Sequence, residues 1–251
     1  MAKLAWVTGA GKGLGRHVAL LLAERGWRVA ATARTEADLD SLVADSGDRA
    51  GEIVAFPGDI TDRAAMLALV TEIAKCCGHI DLAILNAGTY IRFGVDDFSA
   101  EKFADQININ VMGTVNCLAP VLESMKARRV GQIAVVSSLS GYRGLPLASA
   151  YGASKAALTN MCEALKPELE TSNISLSIVH PGFVRTPLTD KNEFPMPFLM
   201  EPDVAARRLL DGLEKKKFEI TFPTRFALML KLMRCLPYAL YFRITRRILA
   251  T

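Results

Sequence analysis

The chain alternates between two patterns of hydrophobic and polar positions over most of its length. Short runs of β-branched and other apolar residues, typical of buried strands, lie at residues 4–8, 28–32, 52–56, 81–85, 132–137 and 175–180, with a shorter run at 218–221. The longer segments between them, such as 14–22 and 66–73, have the 3.6-residue period of amphipathic helices. This alternation predicts βαβ units, and therefore a single α/β domain over residues 1–221 with a doubly wound parallel sheet and helices on both faces.

Residues 222–251 have a different pattern, which predicts a C-terminal helical tail. Apolar and basic positions are interspersed on both sides of Pro237, so we expect two amphipathic or strongly apolar helices divided at that proline. Two interpretations remain open: the tail lies in a membrane interface against anionic lipid, or it packs on the body or on another subunit with its bases facing water. No acidic residue follows Glu219, whereas six bases do, namely Arg225, Lys231, Arg234, Arg243, Arg246 and Arg247.

Composition narrows the class of protein. With 251 residues, of which 51% are hydrophobic and 22% charged, the chain can bury a substantial core. Its net charge of +4 is smaller than the charge of the tail alone, so the body has no excess of bases and we expect no nucleic-acid partner. The five cysteines show no metal-ligand spacing, which predicts reduced thiols and no metal site. No apolar run approaches about 20 residues, so we expect a cytoplasmic protein, which the tail would place at the inner face of a membrane if it binds lipid.

The first predicted strand leads directly into a glycine-rich segment, TGAGKGLG (residues 8–15), and then into a helix. Glycine permits a tight turn and a close approach of the backbone to a ligand, and the free N–H groups at a helix N-terminus favour phosphate. The segment therefore predicts a site for the pyrophosphate of a dinucleotide. Arg34 follows the second strand, where an acid would bind the ribose of NAD, and Lys12 lies in the glycine-rich segment. Two cations suit a 2′-phosphate, so the pattern favours NADP over NAD.

A tyrosine and a lysine lie four residues apart, Tyr151 and Lys155, in a segment of small residues, AYGASKAAL. On a helix this spacing stacks both side chains on one face. An ammonium group beside a phenol favours phenolate, so we expect Lys155 to lower the pKa of Tyr151 from about 10 toward neutral pH, where proton transfer is efficient.

Together with further motifs, these two features resemble the short-chain dehydrogenase/reductase family. The motifs occur in the family's order and spacing over about residues 3–220. The further motifs are Asp59 in GDITD, Asn86-Ala87-Gly88, Asn110 in NVMG, Ser138 in VVSSLSG, and HPGFVRT from His180 to Thr186.

The resemblance implies a Rossmann fold and an NADP-dependent oxidoreductase that interconverts an alcohol and a ketone or aldehyde. It implies that Tyr151 is the general acid/base, that Ser138 binds the substrate oxygen, and that Asn110 holds a water in a proton relay from Lys155. His180 is interpreted as a strand-end residue and not as a catalyst. The residues implied to bind the cofactor are Gly9, Lys12, Gly13, Leu14, Gly15, Arg34, Asp59, Ile60, Asn86, Ala87, Gly88, Tyr151, Lys155, Pro181, Gly182, Val184 and Thr186.

The substrate is predicted to be lipophilic. The region after Thr186 is rich in proline and large apolar residues and is interpreted as a mobile lid. The candidate substrate-binding residues are Tyr90, Leu139, Leu145, Phe183, Leu188 and Phe194.

Two further expectations concern partners and class. Members of the family usually assemble as dimers or tetramers, which implies a homodimer or homotetramer here. The rival class of function is a sensor or scaffold that binds the cofactor in the same fold without turnover, since a fold does not fix a function. The presence of Asn110, Ser138, Tyr151 and Lys155 favours an enzyme.

Overall fold

The computed structural model describes residues 2–190 and 195–249, with the side chain of Ile248 left out. Within these residues seven parallel strands form one sheet in the order β3-β2-β1-β4-β5-β6-β7. The strands are β1 (Leu4–Thr8), β2 (Arg28–Thr32), β3 (Ile53–Ala55), β4 (Leu82–Leu85), β5 (Gly131–Val136), β6 (Ile174–Pro181) and β7 (Glu219–Phe222). The predicted doubly wound α/β class is confirmed, and each predicted strand lies within a few residues of its observed bounds.

Helices cover both faces of the sheet. The helices are α1 (Gly13–Glu24), α2 (Glu36–Ser46), α3 (Arg63–Cys77), α4 (Ala100–Ile107), α5 (Gly113–Arg128), α6 (Ser149–Thr171), α7 (Pro202–Glu214), α8 (Thr224–Arg234) and α9 (Tyr238–Leu249). Apolar side chains of α1, α2 and α7 share one buried cluster, and those of α3, α5 and α6 share the other. The strands are therefore buried on both sides, which explains why they read as continuous apolar runs instead of alternating ones.

Strand β1 shows how one run serves both faces. Ala5 and Val7 belong to the cluster under α1 and α7, whereas Leu4 and Trp6 belong to the cluster under α3 and α5. The indole N–H of Trp6 is also satisfied, since it donates to the hydroxyl of Thr32 over 2.9 Å. Successive side chains of a strand point to opposite faces, so one five-residue run anchors both layers.

The sheet reverses its winding at β1, which has β2 on one side and β4 on the other. The chain leaves β1 and β4 toward opposite faces of the sheet. Helix α1, which follows β1, packs on one face, and α5, which comes after β4, packs on the other. A crevice opens at the carboxyl ends of the strands at such a point, and ligands of doubly wound proteins bind there. The glycine-rich segment and the Asn86-Ala87-Gly88 motif both lie at this edge, directly after β1 and β4.

A π-helical turn, Asn108–Met112, joins α4 to α5. The wider turn adds a residue to the helical repeat, and such turns are frequent at functional sites. Asn110 in this turn is fully buried. The extra residue changes the direction in which the following side chains point, compared with an unbroken α-helix. The amide of Asn110 is thereby directed toward α6.

The tail forms two helices, α8 and α9, on either side of Pro237, as its pattern predicts. Phe226 and Leu230 of α8 pack against Leu139 and Tyr142 of the body. In α9 the Tyr241 side chain is buried and its hydroxyl donates to the carbonyl of Gly144. The tail therefore packs on the body, although this packing leaves much of its outer surface exposed. No helix among the described residues has the length and apolar content to cross a bilayer.

Arg143 holds the end of α8 in place. Its Nη1 donates to the carbonyls of Met233, Arg234 and Leu236 over 2.6, 3.0 and 2.8 Å. These carbonyls lie at the C-terminus of α8, where backbone acceptors lack intrahelical partners and where the helix dipole favours a cation. The guanidinium also packs against the ring of Tyr241, 3.9 Å from its centroid, which ties α9 to the same side chain.

Candidate functional site

A cavity of about 1020 Å³ lies at the carboxyl edge of the sheet and extends to the tail. One end is lined by the glycine-rich segment and the residues after β4. The other end is lined by large apolar side chains from the loops after β5 and β6 and from α8 and α9. Of the predicted cofactor residues, the cavity is lined by Gly9, Lys12, Gly13, Leu14, Asn86, Ala87, Gly88, Tyr151, Lys155, Pro181, Gly182, Val184 and Thr186.

The glycine-rich segment leaves room for a ligand beside the backbone. Gly9 and Gly13 have φ of +66° and +56°, a conformation that favours glycine. A Cβ on Gly15 would lie 2.3 Å from the carbonyl oxygen of Gly9, so this position admits no side chain. Gly13 begins the 12-residue helix α1, whose free N–H groups favour an anion at the cavity wall. These features fit the pyrophosphate of a dinucleotide.

The two predicted phosphate-binding cations differ in their surroundings. Lys12 lines the cavity, and its ammonium lies 3.0 Å from a carboxylate oxygen of Asp38 in the first turn of α2. The Arg34 side chain is exposed to solvent. The spacing of the motifs gave no sign of the Lys12–Asp38 pair, because Asp38 lies one helical turn past Arg34 and carries no motif.

Some predicted cofactor residues lie outside the cavity lining. Among the described residues these are Gly15, Arg34, Asp59 and Ile60. The Oδ1 of Asp59 accepts hydrogen bonds from the N–H and the hydroxyl of Thr61, both over 2.9 Å. Ile60 is buried and fills the space beside Gly113, so its side chain supports the start of α5.

Ser138, Tyr151 and Lys155 meet at the middle of the cavity. Ser138 directly follows β5, and the other two residues lie in α6, whose first turns border the cavity. The Ser138 hydroxyl lies close enough to Tyr151 to lower the pKa of the phenol. The Lys155 ammonium lies 5.8 Å from the centroid of the Tyr151 ring and donates to the carbonyl of Val136 over 2.9 Å. Tyr90 packs its ring edge-on against Tyr151, with centroids 4.9 Å apart.

The structure corrects the expected direction of the Tyr151 pKa shift. Burial raises the pKa of Tyr151 above its ordinary value of 10, and the nearby Ser138 hydroxyl offsets this only in part. The net direction is opposite to the one that the sequence pattern predicts from Lys155, whose ammonium donates to the Val136 carbonyl. Tyr151 is therefore a protonated donor at neutral pH. Burial also lowers the pKa of Lys155 to about 8.

Asn110 lies behind this group and does not line the cavity. Its Nδ2 donates to the carbonyl of Thr89 and to the hydroxyl of Ser154, each over 3.0 Å, and its Oδ1 accepts from the N–H of Thr89 over 2.7 Å. The amide thus ties the loop after β4 to α6. A Cβ on Gly88 would lie 3.0 Å from this Oδ1 and 3.4 Å from the Lys155 ammonium, so a glycine lets the loop lie close to both groups.

The apolar end of the cavity contains most of the predicted substrate residues. Tyr90, Leu139, Leu145, Phe183 and Leu188 line it, whereas Phe194 lies outside the described residues. Sequence analysis missed the contribution of the tail, which supplies Phe226, Met229, Leu230, Met233, Ile244, Arg247 and Leu249. The signal was present in part, since Phe226, Leu230 and Met233 recur at helical spacing on one face of α8.

His180 belongs to a buried polar network below the cavity, which joins α6 to the tail. Its Nε2 lies 3.0 Å from the hydroxyl of Thr159, and its Nδ1 lies 3.8 Å from a carboxylate oxygen of Glu219. Glu219 in turn accepts hydrogen bonds from Tyr142 and from Lys231 of α8. Burial lowers the pKa of His180 to about 4, so the ring is neutral near pH 7.

The fold and this site define a class: α/β enzymes that bind a dinucleotide at the switch point of a parallel sheet and place a tyrosine, a serine and a lysine beside it. The chain belongs to the short-chain dehydrogenase family, since the family's model, described as short chain dehydrogenase, matches residues 3–195. It is an NAD(P)-dependent dehydrogenase/reductase.

Similar proteins agree with this assignment. The chain is 36% identical over 247 residues to an uncharacterized oxidoreductase of Myxococcus xanthus, covering 98% of this chain and 97% of that protein. It is 34% identical over 194 residues to a 3-oxoacyl-[acyl-carrier-protein] reductase of Thermotoga maritima, covering 75% and 77%. A short chain dehydrogenase/reductase from Burkholderia phymatum, solved in complex with NAD, has the same fold, with a TM-score of 0.85 at 22% identity over 92% of both chains.

Proposed function

We propose that this protein is an NADP-dependent oxidoreductase that interconverts an alcohol and a ketone or aldehyde on a lipophilic substrate. The observation that supports the proposal most strongly is the position of Ser138, Tyr151 and Lys155, which lie where the glycine-lined end of one cavity meets its apolar end. A carbonyl carbon at this junction would lie beside a proton donor and beside the part of the cavity suited to a nicotinamide.

Each side chain of the site has a separate role in the proposed reaction. A bound dinucleotide would supply the hydride, and the chain's own residues transfer the proton. Tyr151 donates its phenolic proton to the substrate oxygen, and its raised pKa keeps that proton in place until the oxygen becomes basic. The Ser138 hydroxyl donates a hydrogen bond to the same oxygen and stabilises its developing charge. In the reverse direction the same group would accept the proton of the alcohol as a phenolate.

Lys155 and Asn110 act behind the reacting atoms. Lys155 lines the cavity, and its ammonium donates to the Val136 carbonyl, which fixes its position there. Asn110 holds the loop after β4 against α6 through Thr89 and Ser154. We propose that both take part in returning a proton to Tyr151 through a water held near Asn110.

The lining of the apolar end supports a lipophilic substrate. Leu139, Leu145, Phe183 and Leu188 are joined there by apolar side chains of α8. The Thermotoga maritima relative is by name a reductase of 3-oxoacyl groups on acyl carrier protein, which are ketones with an apolar chain. A 3-oxoacyl thioester is therefore a reasonable first compound for a substrate panel.

The decisive experiment follows the absorbance of NADPH while the protein is offered ketones and aldehydes of increasing chain length. The Tyr151→Phe variant should lose about 10²- to 10⁴-fold in turnover, the range of a positioned general acid, with NADPH affinity unchanged. Tyr238→Phe, which alters an exposed tyrosine of α9, is the matched control and should match the wild type.

The rival proposal, a cofactor-binding sensor or scaffold, makes the opposite prediction. It requires the wild type to bind NADPH and to turn over none of the compounds, and Tyr151→Phe would then change nothing.

Preference for NADP rests on Arg34 and Lys12. Arg34→Asp should weaken NADPH affinity by about 10- to 100-fold, the value of one charge-assisted contact to phosphate, and should spare NADH. Titration by protein fluorescence measures both affinities. Arg63→Asp at the start of α3 changes charge equally on an exposed site and serves as control. Equal affinities of Arg34→Asp and wild type for both cofactors would refute the preference.

Assembly and location complete the proposal. We propose a cytoplasmic homodimer or homotetramer in which residues 1–221 form the enzymatic domain and residues 222–251 form a tail that contacts a membrane.

A further inference from the structure

The tail presents a concentration of large apolar side chains to solvent. Leu228, Met229 and Leu232 of α8 are exposed. In α9 the exposed apolar side chains are Tyr238, Leu240, Phe242, Ile244 and Leu249. On the rest of the described chain exposed apolar residues are fewer on any one element: α3 has Leu67 alone, and the loop before α4 has Val95 and Phe98. Clustered apolar exposure of this kind marks an interaction surface, whereas isolated residues need no explanation.

The two faces of α8 show how the helix is used. Phe226, Ala227 and Leu230 face the body and are buried. Leu228 and Leu232 lie on the opposite side at a four-residue spacing and are 59% and 62% exposed. The helix is therefore apolar on both sides, although only one side has a partner in the described part of the chain.

Positive charge surrounds this apolar surface. Five arginines of the tail are exposed, namely Arg225, Arg234, Arg243, Arg246 and Arg247. Within residues 2–190 and 195–249 none of these five forms a salt bridge, and the only tail base that does is Lys231, with Glu219. The guanidinium groups of these arginines are exposed to solvent and therefore accessible to an external partner.

The apolar surface is continuous with the main cavity. Met229, Ile244 and Leu249 line the cavity and are 43%, 38% and 58% exposed, so they form part of its mouth. Arg247 also lies at this border. A molecule at the outer surface of the tail would therefore lie next to the opening that leads to Tyr151.

We propose that the outer surface of α8 and α9 docks on an anionic lipid surface and that the substrate enters the cavity directly from the lipid. Apolar side chains between arginines match acyl chains below phosphate headgroups, and Tyr238 has the amphipathic ring that suits the interface. A second copy of the chain fits less well, because a two-fold interface would bring the same five arginines together with no acid on either side. The entry route rests on the proposed function, whereas the docking does not.

Vesicle sedimentation of the full chain tests the docking. We expect binding to vesicles of phosphatidylcholine with about 30% phosphatidylserine and weak binding to phosphatidylcholine alone, because anionic lipid attracts the arginines. Arg225→Gln with Arg243→Gln should weaken binding about 25-fold, at about fivefold per charge. Leu232→Ser with Phe242→Ser should weaken it at least tenfold. Controls of the same chemistry away from the tail, Arg208→Gln and Leu67→Ser with Val95→Ser, should bind as the wild type does.

Wild-type protein that stays in the supernatant with anionic vesicles would overturn the docking. If, in addition, light scattering shows a dimer for the wild type and none for Leu232→Ser with Phe242→Ser, the surface would be assigned to a second copy of the chain.

Kinetics test the entry route. With a long-chain ketone dissolved in anionic vesicles, the wild type should reduce it at least tenfold faster than the Leu232→Ser with Phe242→Ser variant. With a short water-soluble ketone the two proteins should have equal rates. Equal rates with both ketones would refute entry from lipid. Tyr151→Phe should still bind vesicles, because docking does not need the reaction. Wild-type protein that binds vesicles but reduces no ketone would refute the proposed function and leave the docking standing.

Discussion

The two ends of the main cavity differ in the kinds of groups that line them. The dinucleotide end consists of backbone and small residues fixed at the edge of a buried sheet, where even a Cβ at Gly15 would collide with the carbonyl of Gly9. The other end consists of long side chains on loops and on two helices outside the sheet, such as Met229 and Met233. The backbone at the first end can accept ligand groups of one shape, whereas the flexible thioether side chains at the second end can adapt to ligand groups of several shapes.

The difference explains which parts of the site a family can share. A backbone cradle recognises what is common to dinucleotides and leaves little freedom for change. A wall of side chains carried by a tail can be altered without disturbing the sheet. We therefore expect changes at the two ends to have separable effects, and the following predictions test that separation from the largest effect to the smallest.

Acid should act on the buried network around His180, which joins α6 to the tail. His180 has a pKa of about 4 in the folded protein and 6.5 in the unfolded chain, so below pH 6.5 only the unfolded chain takes up this proton. Stability should therefore fall as the pH falls from 6.5 to about 4, by about 3 kcal/mol in total, and level off below that. Urea unfolding across this pH range measures the loss.

Two variants isolate the contribution of His180. His180→Asn removes the titrating ring, so its stability should depend less on pH by about that amount. His79→Asn alters an exposed histidine and should keep the wild-type pH dependence. A His180→Asn profile parallel to the wild type would show that burial of this ring does not govern acid stability.

Gly15→Ala should damage the dinucleotide end alone. The added Cβ would lie 2.3 Å from a backbone oxygen. Relief of such a clash shifts the turn and costs about 2 kcal/mol of stability, so the displaced backbone should bind NADPH more weakly. Calorimetry measures the affinity, and KM for a ketone at saturating NADPH should change little. Gly144→Ala is the matched control, because no atom lies within 4 Å of its added Cβ. Unchanged affinity in Gly15→Ala would contradict the idea of a rigid cradle.

Met229→Ala should damage the substrate end alone. Loss of this cavity-lining side chain should raise KM for a long-chain ketone about tenfold, the value of the apolar contact removed, with NADPH affinity unchanged. Leu228→Ala alters the adjacent residue of α8, which does not line the cavity, and should leave KM for the soluble ketone unchanged. If both variants behave alike, α8 does not form the wall through Met229.

Much of the architecture was predictable because local patterns decide it. The run from Leu4 to Thr8 must be buried on both faces, and the glycine-rich segment after it can only form a tight turn before a helix. The positions of Ser138, Tyr151 and Lys155 at one edge follow from motif spacing and from the parallel order of the strands. Their roles in the reaction remain predictions.

Properties that depend on contacts between distant segments were not predictable. The tail pattern places Phe226 and Leu230 on one face of a helix, but nothing local shows that this face covers Leu139 and Tyr142. The predicted direction of the Tyr151 pKa shift was wrong for the same reason. Burial by the folded chain raises this pKa, and a lysine at helical spacing does not reverse the effect. The pair of Lys12 with Asp38 also depends on how α2 lies against the glycine-rich segment.

The hydrogen bonds from Arg143 to the end of α8 connect the tail to the loop that carries Ser138. Only four residues lie between Ser138 and this arginine, and this short segment includes the 3₁₀ turn Leu139–Gly141. The Ser138 hydroxyl, which we propose binds the substrate oxygen, and helix α8, which lines the apolar end of the cavity, are therefore linked through this short segment. A chain too bulky for the tail wall should displace that hydroxyl as well, so the enzyme would reject it in the catalytic step as well as in binding.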